Sequence, residues 1–100
     1  MSTAVRLPER VTISPDVLYQ TVEGRAVLLD LRDERYYSLD DVGSRLWQLL
    51  LDHQEVSVVA DRMVELYDVE AEQLRRDLAG FISKLAAARL VELPPDFMSA

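Results

Sequence analysis

No cysteine occurs in the 100 residues, which excludes disulfide stapling and thiolate catalysis. Histidine is nearly absent too, His53 being the single one. One imidazole without a thiol cannot build a tetrahedral zinc site, and it leaves a hydrolytic triad without its usual nucleophile and base pairing. Glycine is sparse: Gly24, Gly43 and Gly80 stand far apart, so there is no glycine-rich loop to cradle a phosphate. No apolar run approaches the roughly 20 residues that cross a bilayer, and the opening Met1-Ser2-Thr3-Ala4-Val5-Arg6 lacks the apolar core of a secretion signal. Basic residues are the minority, 11 against 18 acidic ones, for a net charge of -7. A field of that sign repels phosphate backbones and anionic lipid, which argues against nucleic-acid and membrane partners. These absences make the cytoplasm the expected compartment.

What is present is a soluble globular balance, 49% hydrophobic and 29% charged. The length suits one domain with one thin core. Residues 1–10 read as a flexible lead-in, 11–93 as the folded domain and 94–100 as a tail. Val11-Thr12-Ile13 is a short strand candidate stopped by Ser14-Pro15. Val17-Leu18-Tyr19-Gln20-Thr21-Val22 and Arg25-Ala26-Val27-Leu28-Leu29-Asp30-Leu31 form a hairpin about the Glu23-Gly24 turn. Period-two alternation sets Val27, Leu29 and Leu31 against Ala26, Leu28 and Asp30, and the bulkier set is expected on the core side. After Arg32-Asp33-Glu34, the aromatic Arg35-Tyr36-Tyr37-Ser38-Leu39 is expected as a third or edge strand.

From Asp40 the period becomes helical. Val42, Leu46, Leu49 and Leu50 share a side, with Asp40 as N-cap and Asp41 at the positive end of the helix dipole. Asp52-His53-Gln54 breaks the pattern, and Ser57 is the expected cap of a second helix carrying Val59, Met63 and Leu66. Asp68-Val69-Glu70 separates it from the longest helix, with a stripe of Leu74, Leu78, Phe81, Ile82 and Leu85. Arg89-Leu90-Val91-Glu92-Leu93 reads as a short strand or an extended tail before Pro94-Pro95. The pattern gives an α+β fold, three small strands followed by three helices that cover one sheet face.

Chemistry is hard to find in this pattern. His53 beside Asp52 suits a solvated or capping role, and Asp40, Asp41, Glu70 and Glu72 suit helix starts better than an acid–base or magnesium site. A winged helix that reads DNA needs basic and amide groups on its recognition helix. The second helix offers Asp61, Arg62 and Glu65, and the third mixes Glu72, Arg75, Arg76 and Asp77. The chain is therefore expected to be no enzyme. What remains is backbone: an edge strand with open N–H and C=O groups accepts an extended peptide, and a neighbouring helix supplies side-chain pockets. Tyr36 and Tyr37 suit such a site. One as core and the other as an ordinary exposed strand residue is the equally good alternative.

Tyr37-Ser38-Leu39-Asp40 leads into Val42-Gly43-Ser44-Arg45-Leu46-Trp47, preceded by the Val11 to Pro15 strand and turn and the strand ending at Leu31. Later come His53-Gln54-Glu55, Ser57 and Phe81-Ile82-Ser83-Lys84-Leu85-Ala86-Ala87-Ala88-Arg89-Leu90-Val91. In this order the chain, over about residues 11 to 93, resembles the PqqD family, the peptide-recognition elements of ribosomally made, post-translationally modified peptide pathways. Asp40 stands where the family usually has asparagine, and the loop at His53 departs from its common Asp-Gly turn.

The resemblance implies a winged-helix-like fold, a three-stranded antiparallel sheet followed by three helices, that binds the leader segment of a precursor peptide. It needs no cofactor. The leader would add to the third strand at Arg35, Tyr36, Tyr37, Ser38 and Leu39, in a groove shared with the third helix. Helix contacts would come from Arg75, Arg76, Ala79, Ile82 and Ser83, and Val27 or Leu29 would underlie apolar anchors. The free-standing form resembles the lasso-peptide branch, with a leader protease or other modifying enzyme as second partner. The runner-up is a peptide chaperone of pyrroloquinoline quinone synthesis. A structural or oligomerisation module, self-pairing through the edge strand, and a winged-helix DNA binder complete the alternatives.

Overall fold

The computed structural model describes residues 7–98; the expectations placed on residues 1–6 and 99–100 lie outside them. In chain order the elements are β1 (Thr12–Ile13), β2 (Val17–Val22), β3 (Arg25–Asp30), β4 (Arg35–Ser38), α1 (Asp41–Asp52), α2 (Val56–Tyr67), α3 (Ala71–Ala87), β5 (Val91–Glu92) and α4 (Pro95–Met98). Strands β2, β3 and β4 form an antiparallel sheet in that order, and the helices lie on one face of it, an α+β winged-helix-like arrangement. Its hairpin closes because Glu23 and Gly24 both take positive φ, 52° and 82°, the turn whose twist matches right-handed strands. The stretch around Val91 resolves as β5, which pairs with β1 in a separate two-stranded sheet.

The expected core side of β3 is reversed. Ala26, Leu28 and Asp30 are buried under the helices, Val27 and Leu29 are half-buried on the outer face, and Leu31 is 49% exposed. Two interactions override side-chain bulk. Small Ala26 lets α1 approach, so that Ser44 Oγ accepts the Ala26 N–H at 2.8 Å and donates to the Leu39 carbonyl at 3.3 Å. Arg32 neutralises the buried Asp30, with Nε and Nη2 each 3.0 Å from a carboxylate oxygen, and its Nη2 also donates to the Arg89 carbonyl after α3. Asp30 therefore ties the sheet to the end of the last long helix. Arg32's hydrogen bonds hold its carboxyl below the usual carboxylate range.

That depressed value fixes a sign. The native Asp30 binds its proton less readily than the unfolded one, so its stabilisation is present above the ordinary carboxylate range and is lost as pH falls through the native value. Asp30→Asn is therefore expected to lower the urea midpoint at neutral pH, with the gap from wild type closing as the solution is acidified.

Asp40 caps α1 as the sequence indicates, its Oδ1 accepting the Gly43 N–H at 2.7 Å. Asp40→Ala is expected to cost about 1 kcal/mol in urea unfolding and Asp40→Asn almost nothing, since both native and asparagine oxygens can accept that bond. The expected Ser57 cap is not used. Helix α2 starts at Val56, with Glu55 at the N-cap and no side-chain cap bond. The Val56 N–H goes instead to the Glu9 carbonyl at 3.0 Å, and Val11 N–H to the Gln54 carbonyl at 3.1 Å. Residues 7–10, expected as loose lead-in, are held by these contacts; Pro8 is buried and Leu7 packs on the core. One core runs from Leu28 through Leu46, Trp47, Leu50, Val59 and Met63 to Leu78, Ile82 and Leu85, while Leu66, expected in the second helix's stripe, is exposed.

Candidate functional site

Strand β4 has no partner on its outer side among the described residues. Which of its backbone groups face that side follows from two bonds: Leu31 N–H to the Asp16 carbonyl at 2.9 Å, and Leu39 N–H to the Ala26 carbonyl at 3.0 Å. Antiparallel ladders alternate, so Tyr37, opposite Leu28, spends its N–H and C=O inside the sheet with Leu39. Tyr36 and Ser38 turn theirs outward.

Beside this edge runs a groove of about 920 Å³ between β4 and α3. Tyr36, Tyr37, Ser38 and Leu39 form its strand wall, Val42, Gly43 and Leu46 of α1 its floor, and Arg76, Asp77, Gly80, Phe81, Lys84 and Leu85 its helix wall, with Ala88 and Leu90 closing one end. The helix positions recur every three or four residues, as one face of α3 must. Two glycines shape it. A Cβ on Gly43 would lie 3.1 Å from Asp40 Oδ1 and 3.4 Å from Phe81 Cε1, so a bare backbone lets α1 and α3 approach at the floor. A Cβ on Gly80 would meet no atom within 4 Å. Gly80→Ala is therefore expected to raise stability by up to about 1 kcal/mol through helix propensity, read from the urea midpoint. The added methyl should narrow the groove and weaken whatever binds there.

The lining is apolar with charges at the rim. Arg76 leans on Glu72 at 3.5 Å and Asp77 accepts from Gln73 at 3.0 Å, whereas Lys84 makes no ion pair among the described residues. An apolar trough bordered by both signs of charge, next to free backbone donors and acceptors, is equipped to hold an extended peptide. It holds no nucleophile–base pair. Among the described residues no cluster of His, Cys, Asp and Glu is suited to a metal, and no helix is long and apolar enough to cross a membrane.

Of the residues singled out in the sequence, Tyr36, Tyr37, Ser38, Leu39 and Arg76 come together in this groove. Arg35 sits at the start of β4, paired with Asp33 at 3.6 Å. Val27 and Leu29 lie on the sheet's outer face. Ile82 is buried in the core, and Arg75, Ala79 and Ser83 lie outside the groove lining. Gly80, Phe81, Lys84 and Leu85 were missed. Phe81 carried a signal: it stands at the margin of the α3 stripe, where an aromatic can face a neighbouring groove instead of the core.

The family model described as "Coenzyme PQQ synthesis protein D (PqqD)" matches residues 25–91, from β3 to β5. The chain belongs to the PqqD family. A Rhizobium meliloti (strain 1021) protein called "PqqA binding protein" is 27% identical over 92 residues, 92% of this chain and 88% of that one. The solved structure "TbiB1 in Complex with the TbiA(beta) Leader Peptide" superposes with a TM-score of 0.78 at 34% identity, covering 81% of this chain and 94% of that one. "Lasso peptide synthetase B1 complexed with the leader peptide" gives 0.73 at 28% identity, covering 85% and 99%. In this member of the PqqD family the open β4 edge and the α3 groove adjoin each other.

Proposed function

We propose that this chain is a non-catalytic adaptor that captures the leader segment of a ribosomally made precursor peptide and presents it to a leader protease or other modifying enzyme. The observation that carries it is the unpaired β4 edge, with Tyr36 and Ser38 facing outward beside the apolar groove of α3. The leader adds as a fourth strand, its inward side chains filling the trough and its backbone bonding Tyr36 and Ser38. The setting is lasso-peptide biosynthesis in the cytoplasm, where ribosomal precursors are made. The two leader-bound solved relatives support that setting.

The R. meliloti relative's name favours a second reading, chaperoning of the peptide precursor of pyrroloquinoline quinone. Titration by fluorescence anisotropy decides between them. Labelled lasso-type leaders, a PqqA-type peptide and a random DNA duplex are each titrated with the purified chain. Saturable binding of a lasso-type leader alone is the expected result; preference for the PqqA-type peptide moves the chain to the second pathway. Binding of neither peptide by a folded protein removes the adaptor reading for those precursors.

A further inference from the structure

The far edge of the sheet, β2, also has no partner on its outer side among the described residues. Val22 pairs with Arg25 across the two-residue turn and Leu18 with Leu29, so in the antiparallel alternation the N–H and C=O groups of Tyr19 and Thr21 turn away from β3. Their side chains fall on the inner face, opposite Leu28 and Ala26. There they overhang a cleft of about 380 Å³ between β2 and α1, lined also by Arg45, Gln48 and Tyr67 and bordered by Trp47. Donors are left over at this cleft. The Trp47 Nε1 is buried without an acceptor, and Arg45 makes no ion pair among the described residues. Acceptors are already committed: Asp41, the one carboxylate in the lining, is held by Arg25 at 3.2 Å, and Ser44 Oγ is bonded to the Ala26 and Leu39 backbone. An indole N–H and a guanidinium can only donate, and a buried donor left unpaired costs free energy, so the fitting occupant brings an acceptor and, beside Arg45, a charged one.

We infer that this cleft is a second peptide site, one that takes an extended segment carrying an acidic side chain, with Arg45 and the Trp47 indole N–H as the donors to its carboxylate. The segment adds to β2 through the open backbone groups of Tyr19 and Thr21, and its inward side chain enters the cleft. A small free acid would satisfy the side-chain donors but offers no backbone to the strand edge, which is why the carboxylate belongs to a peptide. The cleft is much smaller than the α3 groove, about 380 against 920 Å³, and suits a single anchoring side chain rather than a row of them. Because β2 and β4 are opposite edges of one sheet, a segment here and a strand at β4 can be held at the same time. The site stands on its own geometry and does not depend on what fills the α3 groove.

The test uses the full chain, whose one tryptophan gives a single indole N–H cross-peak in a proton–nitrogen correlation spectrum and so reports on this cleft. The probes are a capped pentapeptide with threonine at both ends, valine inside and glutamate at its centre, the same peptide with glutamine at the centre, and free glutarate. The glutamate peptide is expected to shift the indole cross-peak saturably, the glutamine peptide to need about tenfold more for the same shift, as loss of a charge-assisted bond implies, and glutarate to leave it in place over the same range. Arg45→Gln, a change at an exposed position, should bring the glutamate peptide down to the affinity of the glutamine one. Thr21→Pro removes an outward N–H without taking a bond from the β2–β3 ladder, and should weaken the peptide about fivefold or more while the spectrum stays that of a folded chain. An indole cross-peak that neither peptide moves, equal affinity for the two peptides, or wild-type binding by Arg45→Gln overturns the inference. Glutarate acting as well as the peptide, or a folded Thr21→Pro chain binding as wild type, overturns strand addition at β2 and assigns the cleft to a small acid.

Discussion

Replacing Ser38 with proline is expected to weaken leader binding and spare the fold, whereas proline at neighbouring Tyr37 is expected to damage the fold first. The difference lies in which way each N–H points. Ser38 offers its donor to the open edge, so proline there takes no bond from the sheet, and edge strands tolerate proline on that side. The added strand then loses a donor and leaves its own carbonyl unpaired in a partly desolvated groove. That omission costs about 1–3 kcal/mol, or roughly 5- to 150-fold in affinity. Tyr37 lies opposite Leu28, and its N–H belongs to the β3–β4 ladder. Proline at Tyr37 removes that bond and strips a half-buried phenol that packs on the core. Anisotropy with a labelled leader, run beside urea unfolding of both variants, separates the effects. Ser38→Ala serves as control and should bind almost as wild type, since it keeps the backbone donor. A Ser38→Pro protein that binds leader normally would place the leader away from this edge.

The elements with strong periodic or turn signals were legible from sequence. Glu23-Gly24 marked the hairpin, Asp40 marked the start of α1, and the stripe from Leu74 to Leu85 marked α3. The face of β3 was not, because alternation in Val27, Leu28 and Leu29 offers two nearly equal apolar sets and a carboxylate normally marks the solvent side. Asp30 breaks that rule through Arg32, a partner two residues away that only the loop geometry brings back onto it. The start of α2 was hidden for a similar reason. Its first donor is satisfied by Glu9, a contact distant in sequence, so the local capping code does not apply.

The candidate site divides along the same line. Its strand wall was legible because an aromatic edge strand announces itself. The helix wall was not, because a helix with a buried stripe has two margins and the sequence does not say which one meets β4. The structure settles it through Gly43 and Gly80: the groove lies where α1 and α3 present bare backbone, and Phe81 occupies the margin beside it. Helix α1 is therefore shared, packing Leu46, Trp47 and Leu50 into the core while Val42 and Gly43 face the groove. Damage to its core side should reach the groove only through the stability of the whole domain.

Trp47 offers the sharpest test of that statement. It is the one tryptophan, 1% exposed, and its ring meets Tyr19 of β2 edge-on with centroids 6.1 Å apart, joining α1 to the sheet. Its Nε1 is buried with no acceptor among the described residues. Trp47→Ala is expected to cost about 3–5 kcal/mol, the usual range for deleting a large buried aromatic, which for a domain of this size lowers Tm by more than about 10 °C. Trp47→Phe should behave differently. It shrinks the ring but also removes the unpaired donor, whose burial costs about 1–3 kcal/mol, so the two changes oppose each other and the net loss should stay within about 1.5 kcal/mol. Thermal unfolding followed by circular dichroism reads both variants. At temperatures where each remains folded, leader affinity should match wild type, because the side chain lies outside the α3 groove. If Trp47→Phe is as damaging as Trp47→Ala, the indole N–H is satisfied in solution and the packing of α1 on β2 depends on it. If folded Trp47→Phe loses leader affinity, α1 couples its core face to the groove directly.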